Sequence, residues 1–86
     1  MTFSFTDEFE KRVAKLVRKN PQLRESLKKQ FAMFANNPSH LGLKLHKLKG
    51  KRSEQYAIWI AGDLRAIAVK HRGSYIFFDL VTHDEY

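Results

Sequence analysis

Residues 56–70 read YAIWIAGDLRAIAVK. Two apolar runs, YAIWIA and LRAIAVK, flank Gly62-Asp63. A Gly-Asp pair between runs of this kind reads as the two-residue turn of a β-hairpin, because glycine takes a positive φ without steric cost. With those residues as the turn, Ile60 opposes Arg65, Ile58 opposes Ile67 and Tyr56 opposes Val69. That set reads as core-facing. Ala57, Trp59, Ala61, Leu64, Ala66 and Ala68 form the other face. Arg65 then sits at the rim of an apolar face, with its stem buried and its head at the sheet edge. Pairing with Asp63 or Asp79 is the purely structural use of the same side chain.

The pattern extends outward on both sides. HRGS (71–74) is the next turn, YIFFDLV (75–81) the last strand, and the chain ends THDEY (82–86). Upstream, Leu41, Leu43 and Leu45 alternate with Gly42, Lys44 and His46, which predicts a strand before the polar connection GKRSE (50–54). Before that the period is helical. Phe9, Val13, Leu16 and Val17 form one stripe, capped by Thr6 and opened by Asp7 and Glu8; Leu23, Leu27, Phe31 and Phe34 form another, begun by Asn20-Pro21 and closed by Asn36-Asn37-Pro38. Phe3 and Phe5 alternate with polar neighbours as a short first strand. The expected architecture is α+β: an N-terminal strand, a helical hairpin, then an antiparallel sheet of about four strands, with the helices on one face. At 86 residues the chain, 1–86, is a single domain.

Composition narrows the chemistry. With no cysteine, disulfides, cysteine zinc sites and thiol nucleophiles are excluded. No apolar run approaches a membrane span and the first residues are acidic where a secretory signal is basic, so a cytoplasmic protein without a membrane partner is expected. Sixteen Lys+Arg against nine Asp+Glu give a formal charge of +7. From Ser26 to Ser53 there are seven basic residues, Lys28, Lys29, Lys44, Lys47, Lys49, Lys51 and Arg52, and no acid. Such a stretch is the footprint of a polyanion or of an acidic protein.

Four histidines occur, His40, His46, His71 and His83, without metal-ligand spacing, so no metal and no cofactor is expected. His40 and His71 lie in turns and read as solvated. His46 stands in LHKLKGK and His83 follows the last strand. Should a meander bring His46, Arg65 and His83 to one sheet end, with Lys49 and Lys51 nearby, the set suits metal-free cleavage of RNA. Imidazoles transfer protons near neutral pH. The planar guanidinium binds two phosphate oxygens at once. Tyr86 at the rim would stack on a base.

The order of these motifs, with LKGK (48–51), GDLR (62–65) and THDEY (82–86), resembles the RelE/ParE superfamily of type II toxin–antitoxin toxins across essentially the whole chain, most closely the YafQ-type and YoeB-type branches. The resemblance implies the RelE-like microbial RNase fold and an mRNA interferase, a toxin that cleaves mRNA in the ribosomal A site without a cofactor. It places His46 at a position of proton transfer, Arg65 at the phosphate, His83 as general acid and Tyr86 near the terminal aromatic. Lys44, Lys47, Lys49, Lys51 and Arg52 become RNA-holding residues. The lysine- and arginine-only site of the RelE type proper is absent, which leaves the base open between His46 and Glu54. The implied partners are a cognate antitoxin with an acidic C-terminal segment, the ribosome and mRNA. Two other readings carry distinct signatures: a ParE-like gyrase inhibitor, which needs no acid–base pair, and an inactive module that binds RNA or antitoxin without cutting.

Overall fold

The computed structural model describes residues 3–82. Its elements are β1 (Phe3–Phe5), α1 (Asp7–Lys19), α2 (Gln22–Asn36), β2 (His46–Lys47), β3 (Gln55–Ala61), β4 (Leu64–His71) and β5 (Ser74–Thr82), with 3₁₀ turns at Leu41–Leu43 and Gly50–Arg52. The strands form one sheet in the order β1-β5-β4-β3-β2. β2 to β5 are the expected antiparallel meander, but β1 pairs parallel to β5, so the sheet is mixed. No helix is long and apolar enough to cross a membrane.

Thr6 joins the first strand to the first helix. Its N–H donates to the Phe77 carbonyl at 3.0 Å, and its Oγ1 accepts from Phe9 N at 3.1 Å. The cap, the acidic first turn (Asp7, Glu8, Glu10) and the basic last turn (Arg18, Lys19) all agree with the helix dipole. Asn20 Oδ1 accepts from Gln22 N at 3.3 Å, so Asn20-Pro21 opens α2 as its sequence predicts. A cluster of phenylalanines then holds β1 in place. Phe3 lies 5.3 Å from Phe34, Phe5 lies 5.1 Å from both Phe9 and Phe31, and Phe31 lies 4.9 Å from Phe77. A three-residue strand has few ladder bonds of its own; packed aromatics, each pair contributing about 0.5–1.5 kcal/mol beyond area burial, fix its register.

Two expectations are corrected. The first is the strand through Leu41–Leu45. Residues 41–43 form a 3₁₀ turn, Lys44 is left-handed (φ 51, ψ 38), and only His46–Lys47 pairs with β3. The physical reason is Gln30. This side chain is 3% exposed, and its Nε2 donates to the Gly42 carbonyl at 3.2 Å and the Trp59 carbonyl at 2.9 Å. His46 pairs with Ala57, so Trp59 lies beyond the end of β2. The Gln30 amide takes the place of the ladder bond a longer strand would have made. Replacing Gln30 by leucine leaves two carbonyls without this donor and is expected to destabilise the fold by about 2 kcal/mol, roughly 10 °C in Tm for a domain of this size. A melting curve unchanged in Gln30→Leu would refute that role.

The second correction concerns the hairpin register. Gly62 (φ 54) does open the turn, but the pairing shifts between Trp59 and Ala61. Ala61 opposes Leu64, Trp59 opposes Arg65 and Ile58 opposes Ala66. A bulge of one residue moves every later side chain of one strand to the other face. Ile58, Ile60, Leu64, Ala66, Ala68, Phe77 and Leu80 therefore share the main core with Phe9, Leu27 and Phe34 of the helices. Ala57, Ile67, Val81 and Leu48 form a second, smaller cluster backed by Phe78 on the helix-free face. Arg65 belongs to that second face, not to the rim of the core-facing set.

Candidate active site on the helix-free sheet face

The register places the two chemically interesting side chains together. His46 pairs with Ala57, and Ala57 with Ile67; Arg65 pairs with Trp59 on one side and Val81 on the other. Directly paired residues share a face, and Ala57, Ile67 and Val81 are the members of the helix-free cluster. His46 and Arg65 thus project from the same open face. They stand two strands and two residues apart, which puts their Cα atoms about 12 Å from each other. Side chains of that length can close on a single phosphodiester across the gap.

Each is held. A carbonyl oxygen can only accept, so the 2.8 Å contact between His46 Nδ1 and the Lys44 carbonyl puts the hydrogen on Nδ1. The lone pair of the neutral ring is then on Nε2, away from the backbone. Arg65 Nη1 donates to the Gly62 and Leu64 carbonyls, both at 3.3 Å. Among the described residues no ion pair ties Arg65 to Asp63 or Asp79; Asp79 Oδ1 instead lies 3.8 Å from Arg12 Nε of α1. The guanidinium is anchored by turn carbonyls rather than neutralised by an acid.

The basic residues divide. His46, Lys47, Leu48, Lys49 and Arg52 line a shallow cavity of about 310 Å³. Arg52 Nη1 is fixed on Gln55 Oε1 at 2.9 Å. Lys51 is exposed in the same connection but does not line the cavity. Lys44 lies on the other side of His46, with its Nζ 5.3 Å from the Trp59 ring centroid. Of the two lysines expected near the His46, Arg65 and His83 set, Lys49 lines the cavity with His46 and Lys51 is exposed in the same connection. The connection from β2 to β3 and the turn from β3 to β4 fall at opposite ends of β3, so these lysines and Arg65 flank His46 from two sides. Glu54 is exposed in the turn before β3, at the end away from Arg65. His83 and Tyr86 lie outside the described residues; β5 is described as far as Thr82, which pairs with Leu64 next to Arg65.

Of the other histidines, His40 accepts from Gly42 N through its Nδ1 at 2.9 Å and caps the 3₁₀ turn, while His71 is exposed at the end of β4. Two residues that the sequence did not single out shape the site. Gln30 is one, and its position between Leu27 and Phe34 at helical spacing marked it as facing the core. Trp59 is the other. Its Nε1 donates to the Gly62 carbonyl at 2.7 Å, the same oxygen that Arg65 uses. Its presence as the single tryptophan, three residues before Gly62 of the hairpin turn, was the available signal.

No family model matches the chain, and no curated protein matches it in sequence. Solved structures do match. YafQ from E. coli is similar over 96% of this chain and 93% of its own, with TM-score 0.75 and 21% identity. A YoeB/ParE toxin from Agrobacterium tumefaciens is similar over 96% of this chain and 99% of its own, with TM-score 0.74 and 15% identity. YafQ in the E. coli DinJ-YafQ complex is similar over 96% of this chain and 93% of its own, with TM-score 0.72 and 21% identity. At these identities the likeness is one of fold: the chain has the fold of the YafQ and YoeB toxins over nearly its whole length.

Proposed function

We propose that this chain is the toxin of a type II toxin–antitoxin pair and a ribosome-dependent endoribonuclease that cuts mRNA in the A site. The observation that carries the proposal is the joint projection of His46 and Arg65 from one open sheet face, with the lone pair of the neutral His46 ring directed to Nε2. The shared fold with YafQ and YoeB supports it. His46 Nε2 takes the proton from a ribose 2′-hydroxyl. The freed O2′ attacks the adjacent phosphorus while Arg65 stabilises the charge building on the non-bridging oxygens. His83 gives a proton to the departing 5′-oxygen. The products are a 2′,3′-cyclic phosphate and a 5′-hydroxyl. Acid, base and cation all come from side chains, so the reaction runs without a metal. Lys47, Lys49, Lys51 and Arg52 hold the RNA backbone, and Tyr86 stacks on a base. The formal +7 charge suits an acidic antitoxin segment, as the pairing of YafQ with DinJ suggests.

Induction in cells lacking the antitoxin tests this reading. Growth arrest with cuts inside reading frames supports it. DNA breaks without mRNA cuts would favour gyrase inhibition, and harmless expression would favour a non-cutting module. Within the site, Arg65→Lys keeps the charge but loses the two-pronged grip on phosphate. A single-turnover cleavage assay should show it slower by about 10- to 100-fold, the equivalent of one charge-assisted hydrogen bond. An Arg65→Lys variant as fast as the parent would remove Arg65 from the phosphate.

A further inference from the structure

Two non-glycine residues of the described chain have positive φ, Lys44 (φ 51) and Arg72 (φ 50). Arg72 precedes Gly73 in the β4–β5 hairpin, where a tight two-residue turn demands that conformation. Lys44 is in no hairpin. It ends the Leu41–Leu43 turn, in a region that side chains with a Cβ avoid. What the conformation achieves is visible in its neighbours. The Lys44 carbonyl meets His46 Nδ1 at 2.8 Å. The Lys44 ammonium sits 5.3 Å from the centre of the Trp59 ring, a cation–π contact. Trp59 Nε1 is pinned to the Gly62 carbonyl at 2.7 Å, and Arg65 Nη1 reaches that same oxygen at 3.3 Å. A continuous run of contacts thus leads from His46 to Arg65 through Lys44 and Trp59.

We propose that Lys44 is a positioning residue: its left-handed backbone, held by the seat of its ammonium on Trp59, fixes the tautomer and orientation of His46 relative to Arg65. This assigns Lys44 a task inside the site instead of a contact with RNA, and it rests on the reading of His46 as general base. A backbone carbonyl locked in place selects the Nδ1–H tautomer by hydrogen bonding to one nitrogen only. The cation–π contact holds the residue in a conformation it would otherwise leave.

The test compares Lys44→Gly with Lys44→Val. Glycine adopts positive φ freely and keeps the carbonyl in place; a β-branched valine resists it. Long-range ¹⁵N–¹H spectra of the full-length protein read the His46 ring directly. The parent and Lys44→Gly should show the Nδ1–H signature, and Lys44→Val a mixture of tautomers. The cleavage kcat should be about tenfold lower in Lys44→Val than in Lys44→Gly, since a misdirected base loses part of its contribution. Emission from Trp59, the chain's single tryptophan, should shift in both variants because both lose the ammonium. Identical tautomer signatures in the two variants, or Trp59 emission indifferent to both, would overturn the proposal. If Lys44→Val does not fold, Lys44→Asn against Lys44→Ala decides the same point, because asparagine tolerates the left-handed region better. A parent protein that cuts no RNA would defeat the enzymatic reading, while the tautomer comparison would still decide the role of Lys44.

Discussion

Alanine in place of His46 is expected to slow cleavage of ribosome-bound mRNA by about 10²- to 10⁴-fold, the usual contribution of a positioned proton-transfer group. His46 is exposed on an edge strand of two residues, so its removal leaves both apolar clusters intact and the melting curve close to the parent's. The loss is therefore one of chemistry. Free imidazole added to the His46→Ala protein should restore part of the rate, since the vacated space opens to solvent beside the Lys49 and Arg52 cavity. A His46→Ala variant that cleaves as fast as the parent would move the base elsewhere. Glu54, the exposed carboxylate in the turn before β3, would be the next residue to substitute.

His83→Ala should lower the rate by a similar factor, about 10²- to 10⁴-fold, and abolish growth arrest while antitoxin binding persists. The two histidines are told apart by the leaving group. A substrate with sulfur in place of the scissile 5′-oxygen departs as a thiolate and needs little help from an acid. On that substrate His83→Ala should approach the parent rate, while His46→Ala remains slow, because attack by the 2′-hydroxyl still requires a base. The opposite pattern would exchange the two roles. Equal defects on both substrates would show that His83 holds structure or binds RNA rather than giving up a proton. His83 follows Thr82 in sequence, and Thr82 pairs with Leu64 and Val81 with Arg65, which is what makes the acid role worth this test.

Much of the fold was legible because local chemistry and global packing agree. Thr6 as a cap, Asn20-Pro21 as a helix start, and Gly62-Asp63 as a hairpin turn are short-range signals, and each is found where the residues place it. What escaped reading depends on contacts distant in sequence. The parallel pairing of Phe3–Phe5 with Tyr75–Phe77 joins the two ends of the chain, and only the phenylalanine cluster selects it. The strand predicted at Leu41–Leu45 failed because Gln30, more than ten residues upstream, takes two carbonyls at once. The alternation of leucines is real, but in a 3₁₀ turn Leu43 is buried and Leu41 is 91% exposed.

Of the proposed site, the sequence offered the residue types and the structure the geometry. Histidine and arginine in a basic chain suggest the proposed chemistry, but a one-residue bulge between Trp59 and Ala61 decided the face. Had Ile60 opposed Arg65, the guanidinium would lie under the helices and away from His46. No residue in YAIWIAGDLR announces that bulge, since isoleucine, tryptophan and alanine fit either register. The split of the lysines to the two sides of His46 follows from strand direction, which the sequence implies once the meander is accepted. The left-handed Lys44 had no signature in sequence; glycine or asparagine is the usual occupant of such a position.

The decisive measurement is cleavage of one defined mRNA, with and without ribosomes, followed by chemical analysis of the new ends. Cuts that appear only on programmed ribosomes, within the A-site codon, leaving a 2′,3′-cyclic phosphate and a 5′-hydroxyl, and that vanish with His46→Ala, are the expected result. A 5′-phosphate at the cut, cleavage indifferent to ribosomes, or an intact message in the presence of active ribosomes would contradict an RNA-cutting site built on His46 and Arg65.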